Sequence, residues 1–206
     1  MTYSGNMGTF HDLDTLVRAA ARVDDPGVHF LVVGEGDNKR HIRTLASELG
    51  LGPDRVTFLP YQEWEDLPYS LTAGDAMVVT VQEGFEGLCV SSKLYTAMAM
   101  GRPVLCIAQP DSDEARIVAG FDAGQQVAQG DVEALVAAVD RWRADPAFYR
   151  RQAENARRAF DAHFARDEAI DNYHALLTRG PTAVSDVASS GPESAVVDSG
   201  AATADD

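Results

Sequence analysis

Short apolar runs alternate with amphipathic helical segments along most of this chain, and that alternation constrains the fold more than any other feature. The runs are "MTYS" (Met1 to Ser4), "VHFLVV" (Val28 to Val33), "RVTFLP" (Arg55 to Pro60), "DAMVVTV" (Asp75 to Val81), "PVLCIA" (Pro103 to Ala108) and "QQVA" (Gln125 to Ala128). Three of them are nearly continuous apolar stretches, the pattern of strands covered on both faces of a parallel sheet. Between the first two, "HDLDTLVRAAARV" sets Leu13, Leu16, Val17 and Ala20 on one helical face. "NKRHIRTLASELG" does the same with Ile42, Leu45, Ala46 and Leu49, and ends on Gly50 as a helix stop. "DVEALVAAVDRWRADP" predicts another helix, and residues from about Ala147 to Thr178 predict one or two long terminal helices. The expected architecture is a doubly wound, Rossmann-like α/β sheet closed by C-terminal helices.

From Pro181 the character changes. "PTAVSDVASSGPESAVVDSGAATADD" has no aromatic, no leucine and no basic residue, and too little apolar surface to offset the entropy of ordering it. The expected division is therefore one domain over residues 1–180 and a disordered acidic tail over 181–206.

Charge limits the partners. The chain of 206 residues carries 32 acidic and 17 basic side chains, net −15, and only two of the basic ones are lysines, Lys39 and Lys93. Such a field repels nucleic acid, so no nucleic-acid partner is expected. Acidic residues spread along a lysine-poor chain also fit adaptation to high salt. No apolar run approaches the ~20 residues of a membrane span, and "MTYSGNMGTF" lacks the build of a signal peptide. Cys89 and Cys106 form neither a metal-ligand spacing nor a disulfide framework. Together these features predict a soluble, cytoplasmic protein.

In doubly wound sheets ligands bind beyond the carboxyl ends of the strands. The loops there read "SGNMG" (Ser4 to Gly8), "GEGDN" (Gly34 to Asn38), "PYQEW" (Pro60 to Trp64), "QEGFEGLCVSSK" (Gln82 to Lys93) and "AQPDSDEA" (Ala108 to Ala115). Glycines gather in three of the five, where they let backbone amides approach an anion beside a helix N-terminus; tight turns alone would also call for them. "GEGDNK" is no dinucleotide fingerprint, because Lys39 holds its third glycine position, and no P-loop, nucleophile elbow or zinc spacing exists. The segment after the fourth run combines more features. Gly84 and Gly87 sit in its loop, Ser91 or Ser92 can cap the next helix, and Lys93 falls in that helix's first turn. A cation there opposes the helix dipole and calls for a compensating anion. Leu94, Ala97 and Met98 are expected to face the core, and Gly101 to stop the helix. Of five histidines, His11 alone falls near the predicted crevice.

Four stretches, "YSGNMGTFHDLDTLVRAA", "HFLVVGEGDNKRHIRTLASELGL", "RVTFLPYQEWEDLPYSLTAGDAMVV" and "SSKLYTAMAMGRPVL", resemble in this order the C-terminal domain of GT-B glycosyltransferases of family 4, over about Thr2 to Gly180. The resemblance implies a domain that binds a nucleotide-sugar donor, within an enzyme that transfers a hexose-type sugar with retention of configuration. It implies no metal and no separate cofactor. Acceptors would be cell-surface glycans or lipid-linked sugars, placing the protein in the cytoplasm or peripherally at the inner face of the membrane. It further implies that Gly5, Asn6 and Gly8 line the donor site, and that Gly34, Glu35 and Gly36 lie against the nucleotide. Pro60 and Tyr61 would flank the base, and Gly87, Leu88, Ser91, Ser92 and Lys93 would hold the diphosphate. Glu83 would lie near the sugar hydroxyls.

The sequence departs from that pattern in three ways. Thr96 stands where relatives often have a ribose-binding glutamate. "NMGTFH" stands where many have an arginine and a lysine, leaving Lys93 and Arg102 as the basic residues of the crevice motifs. The resemblance also starts at the first strand of the donor domain, so an acceptor-binding N-terminal domain or a separate chain is the expected partner. Alternatives are a non-enzymatic nucleotide-binding or partner subunit, or a fragment of a GT-B-type sugar-nucleotide epimerase. A receiver-type domain is disfavoured, because the loop after its first strand should cluster aspartates and here reads "SGNMG".

Overall fold

The computed structural model describes residues 1–179 apart from Glu86 and Cys89. The acidic segment expected to be disordered, Pro181 to Asp206, lies outside the described residues.

Six strands form one wholly parallel sheet: β1 Thr2–Ser4, β2 Phe30–Val33, β3 Val56–Leu59, β4 Met77–Thr80, β5 Val104–Ile107 and β6 Gly124–Val127. Their order is β3-β2-β1-β4-β5-β6. Each falls within or across one of the apolar runs. Two interior strands, β4 and β5, are buried at every position. Parallel strands need covered crossovers, and five helices supply them: α1 Asp14–Ala20, α2 Lys39–Glu48, α3 Leu67–Thr72, α4 Ser92–Ala99 and α5 Asp113–Gly120, with α6 Val132–Ala144 following the last strand. Then α7 Pro146–Ala159, a π-helical turn Phe160–Phe164 and α8 Arg166–Arg179 follow.

The faces read from the helical periodicity are the buried ones. Leu13, Leu16, Val17 and Ala20 pack with Ile42, Leu45 and Ala46 into the core on one side of the sheet, while Leu94, Ala97 and Met98 pack into the other. Leu49 differs: it was expected on the buried face but is 37% exposed. It is the residue at which α2 ends, and the chain leaves through Gly50 at φ 72° before the helix can carry Leu49 inward. Gly101, at φ 61°, ends α4 as expected. The serine cap expected there is not made. Ser91 is the N-cap residue of α4, but its hydroxyl bonds no backbone amide and is buried without a partner.

Helices α3 and α5 have no counterpart in the pattern read from sequence. α3 buries none of its residues, so its apolar positions carry no periodic signal. α5 starts from Ser112, whose hydroxyl accepts from the Ala115 amide, and it buries the charged Glu114 alongside Ala115 and Val118. A buried carboxylate on the inner face hides the stripe that would have announced the helix.

Candidate donor site

The strand order reverses between β1 and β4, so the crevice opens beyond their carboxyl ends, where the β1–α1 and β4–α4 loops face each other. Three contacts zip these loops together. The Gln82 amide donates to the Phe10 carbonyl at 2.8 Å, the Thr80 hydroxyl to the Asp12 carbonyl at 2.9 Å, and His11 Nδ1 to the Thr80 carbonyl at 2.9 Å. Asp12 is itself buried, and its carboxylate accepts from both the amide and the hydroxyl of Thr15. The Phe10 and Phe85 rings meet edge to face at 4.6 Å across the mouth.

Glycine is required at three points here. Gly5, Gly34 and Gly36 have φ of 145°, 137° and 149°, a region that side-chain-bearing residues rarely enter. They are also crowded. A β-carbon on Gly34 would lie 1.9 Å from the Gly5 carbonyl oxygen, and one on Gly36 would lie 2.6 Å from the Met7 backbone. One on Gly5 would lie 2.2 Å from Lys93 Cε. The first two loops are therefore packed backbone to backbone, and the Lys93 side chain crosses from α4 to lie on Gly5.

Lys93 Nζ comes to 3.4 Å from His11 Nε2 and 5.5 Å from the centre of the Tyr3 ring. The Tyr3 hydroxyl donates to the Asn6 carbonyl. Because the Thr80 carbonyl can only accept, Nδ1 of His11 carries the proton, and in the neutral ring Nε2 presents its lone pair to the lysine. Burial pulls the His11 pKa below the usual imidazole range; the Thr80 carbonyl opposes this and the Lys93 charge adds to it.

Beside this pair lies a cavity of about 230 Å³, which Glu114 also lines. Glu114 is 1% exposed and accepts the Ser91 amide at 2.7 Å. The Ser91 amide is thus already bonded, and the first turn of α4 proper, beginning at Ser92, is the part an anion could use. Glu114 was not singled out from sequence, where it reads as an ordinary acidic residue of a helix's first turn; only the fold shows it reaching the neighbouring loop.

Of the remaining expected residues, Glu35 pairs with Lys39 at 2.6 Å, and Lys39 also donates to the Gly34 carbonyl at 2.8 Å, so this lysine fixes the "GEG" turn. Gly8 lies against the Asn6 side chain. Pro60 and Tyr61 follow β3, where the Leu59 carbonyl accepts the Gly34 amide at 3.0 Å, and Tyr61 is 53% exposed. Thr96 lies one turn into α4, with its hydroxyl returned to the Ser92 carbonyl at 3.2 Å. Glu83, Gly87 and Leu88 are on the exposed outer part of the β4–α4 loop, and a β-carbon on Gly87 (φ 74°) would meet nothing within 4 Å. Arg102 is not brought to the crevice: it follows α4 and donates to the Thr72 carbonyl at 3.1 Å.

A larger cavity, about 480 Å³, opens at the opposite, amino end of the strands among Met1, Gly74, Trp142 and Tyr149. Its polar groups are largely engaged within the protein: Arg143 by Asp25, the Trp142 indole by Gln152, the Tyr149 hydroxyl by the Asp75 carbonyl. The Thr2 hydroxyl, which lines it, is buried without a partner, but a single such group is not the convergent set that orients a polar ligand. Among the described residues no three His, Cys, Asp or Glu side chains gather as metal ligands would, and no helix is long and apolar enough to cross a membrane.

The family model described as glycosyl transferases group 1 matches residues 1–159. The D-inositol 3-phosphate glycosyltransferase of Mycolicibacterium smegmatis is 33% identical over 200 residues, covering 91% of this chain and 41% of its own. The lipopolysaccharide core biosynthesis glycosyltransferase LpsE of Rhizobium meliloti is 27% identical over 179 residues, covering 85% of this chain and 49% of its own. Among solved structures, Anabaena HepE in complex with UDP superposes with a TM-score of 0.74 at 20% identity, over 86% of this chain and 48% of HepE. The chain thus spans less than half the length of each of these proteins.

Proposed function

This chain belongs to the glycosyl transferases of group 1, and we propose that it is the half of such an enzyme that holds the nucleotide-sugar donor. The observation that carries this reading is the packing of Gly5, Gly34 and Gly36 at the sheet's switch point, with Lys93 lying on Gly5. The glycines let the first two loops pack against each other and seat the Lys93 side chain on Gly5, so a lysine at the head of α4 supplies charge where the helix dipole already favours an anion. A diphosphate fits both features.

In the proposed role, the α4 N-terminus and Lys93 stabilise the negative charge that builds on the leaving diphosphate as the sugar departs, a purely electrostatic contribution. Lys93 supplies the cation that a divalent metal supplies elsewhere, so transfer is proposed to be metal-independent. Glu83, on the outer part of the β4–α4 loop, is proposed to contact the sugar hydroxyls. Transfer would retain the anomeric configuration and deliver a hexose-type sugar to a cell-surface glycan or lipid-linked acceptor, as fits a relative named for lipopolysaccharide core biosynthesis. The acceptor site would lie on a further domain or chain, consistent with relatives about twice as long.

Calorimetry of the chain in EDTA, with UDP, GDP, ADP and their sugar conjugates, tests the proposal. Binding of at least one nucleotide without divalent metal is expected. Binding that appears only on adding Mn²⁺ or Mg²⁺ would contradict the metal-free reading.

A further inference from the structure

We infer that His11 is a second cationic group for the donor's diphosphate, taking up a proton from solvent as the nucleotide binds. The inference rests on the donor-binding reading above and goes beyond it by naming a residue and a linked ion.

The ring is held in place rather than merely nearby. The residues on either side of it, Phe10 and Asp12, are hydrogen-bonded to the end of β4, and Nδ1–H is fixed on the Thr80 carbonyl. That fixes which nitrogen is available: Nε2, which faces Lys93 Nζ at 3.4 Å. Among the described residues, the titratable and charged groups around the ring come from three elements. Tyr3 of β1 meets it edge-on at 5.9 Å, Lys93 approaches from α4, and Glu114 of α5 lines the same cavity with its carboxylate on the Ser91 amide.

With no anion present, burial and the neighbouring ammonium both favour the neutral ring. An anionic oxygen at hydrogen-bond distance from Lys93 Nζ lies within about 6 Å of Nε2, the range over which an opposite charge shifts a pKa. A lone pair at Nε2 would also face the oxygen lone pairs of the diphosphate, whereas an N–H there would donate to them. Binding therefore reverses the balance and favours the imidazolium. No covalent bond to the ligand forms; one proton moves from solvent to Nε2.

The sign of the linkage follows. The ring has a higher pKa with the nucleotide bound than without it. Affinity is therefore lowest above the bound-state pKa, rises as pH falls between the two values, and levels off below the free-state pKa. Each unit of separation is worth tenfold in affinity.

The test is calorimetry of the full chain with UDP-glucose, GDP-mannose and ADP-glucose from pH 5.5 to 8.5, in two buffers of different ionisation enthalpy. Sugar nucleotides are chosen because a free terminal phosphate itself titrates near pH ~6. Affinity should rise by about tenfold toward low pH, with uptake of up to one proton. His11→Gln should abolish both effects and hold the affinity at the unmodified chain's high-pH level. Lys93→Met should bind more weakly and move the uptake window to higher pH, because the opposing ammonium is gone. If His11→Gln does not fold, the ring proton of His11 is followed by NMR in the unmodified chain, and its pKa should rise when UDP-glucose is added. Binding without proton uptake, uptake that survives in His11→Gln, or an unmoved His11 pKa would each overturn the inference. Failure of all three sugar nucleotides to bind at any pH would instead overturn the donor reading on which it rests.

Discussion

Replacing Lys93 with alanine is expected to lower affinity for the nucleotide donor by ten- to a hundredfold while leaving the domain folded. A charge-assisted contact to phosphate is worth ~1.5–3 kcal/mol, which converts to that range of affinity. The loss should fall toward the upper end, because the overall field of a chain at net −15 opposes a diphosphate. The fold should survive, since Lys93 lies on the crevice-facing turn of α4 while Leu94, Ala97 and Met98 carry the helix's packing. Raising the salt should shrink the difference between the two proteins, because screening weakens the exposed part of the contact. The check is a pair of titrations at low and high salt, with a thermal melt of each protein. Equal affinities at low salt would make this lysine a bystander on a core helix.

The second large effect belongs to stability. Gly34→Ala should destabilise the domain by about 3 kcal/mol or more, a fall in melting temperature on the order of 10 °C. Two costs add. At φ 137° a β-carbon is strained whatever the space, and here it would also sit 1.9 Å from the Gly5 carbonyl oxygen. The clash is with backbone, which cannot rotate away as a side-chain tip would. Gly120→Ala is the control: Gly120 is the last residue of α5, a β-carbon on it would meet nothing within 4 Å, and alanine is the better helix former. It should melt at the same temperature or slightly higher. Equal melts for Gly34→Ala and the unmodified chain would show that the two glycine loops are not locked together.

Much of the fold was legible because burial in a parallel sheet leaves a plain trace. β4 and β5 are covered on both faces and read as nearly continuous apolar runs, while α1 and α2 have one wet face and read as stripes. The same logic explains what was hidden. α3 buries nothing, so it imposes no periodicity. α5 turns Glu114 inward, so its stripe is broken by the one residue type a stripe should exclude.

At the site, the glycines could be listed from sequence but not paired. Nothing local says that Gly34 will meet Gly5, or that Lys93 will cross to the first loop. Those contacts depend on the strand order, which sets β1 between β2 and β4. His11 was visible only as a histidine at the right turn. Its role depends on which nitrogen is tied up, and that is settled by the Thr80 carbonyl, 69 residues away. Ser91 shows the converse. Its type fits a cap and its place is right, yet its hydroxyl accepts from no amide of the helix's first turn, while its own amide donates to the Glu114 carboxylate from α5.

In the proposed site a nucleotide diphosphate binds at the switch point between β1 and β4 rather than in the larger cavity at the other end of the sheet. Amide NMR of the chain during titration with the nucleotide that binds in EDTA decides between them. The amides of Gly5, Gly34, Gly36, Ser92 and Lys93 should shift together and saturate with one dissociation constant, while those of Gly74, Trp142 and Tyr149 stay where they are. Shifts confined to Gly74, Trp142 and Tyr149, with the glycine loops and the head of α4 unmoved, would contradict it.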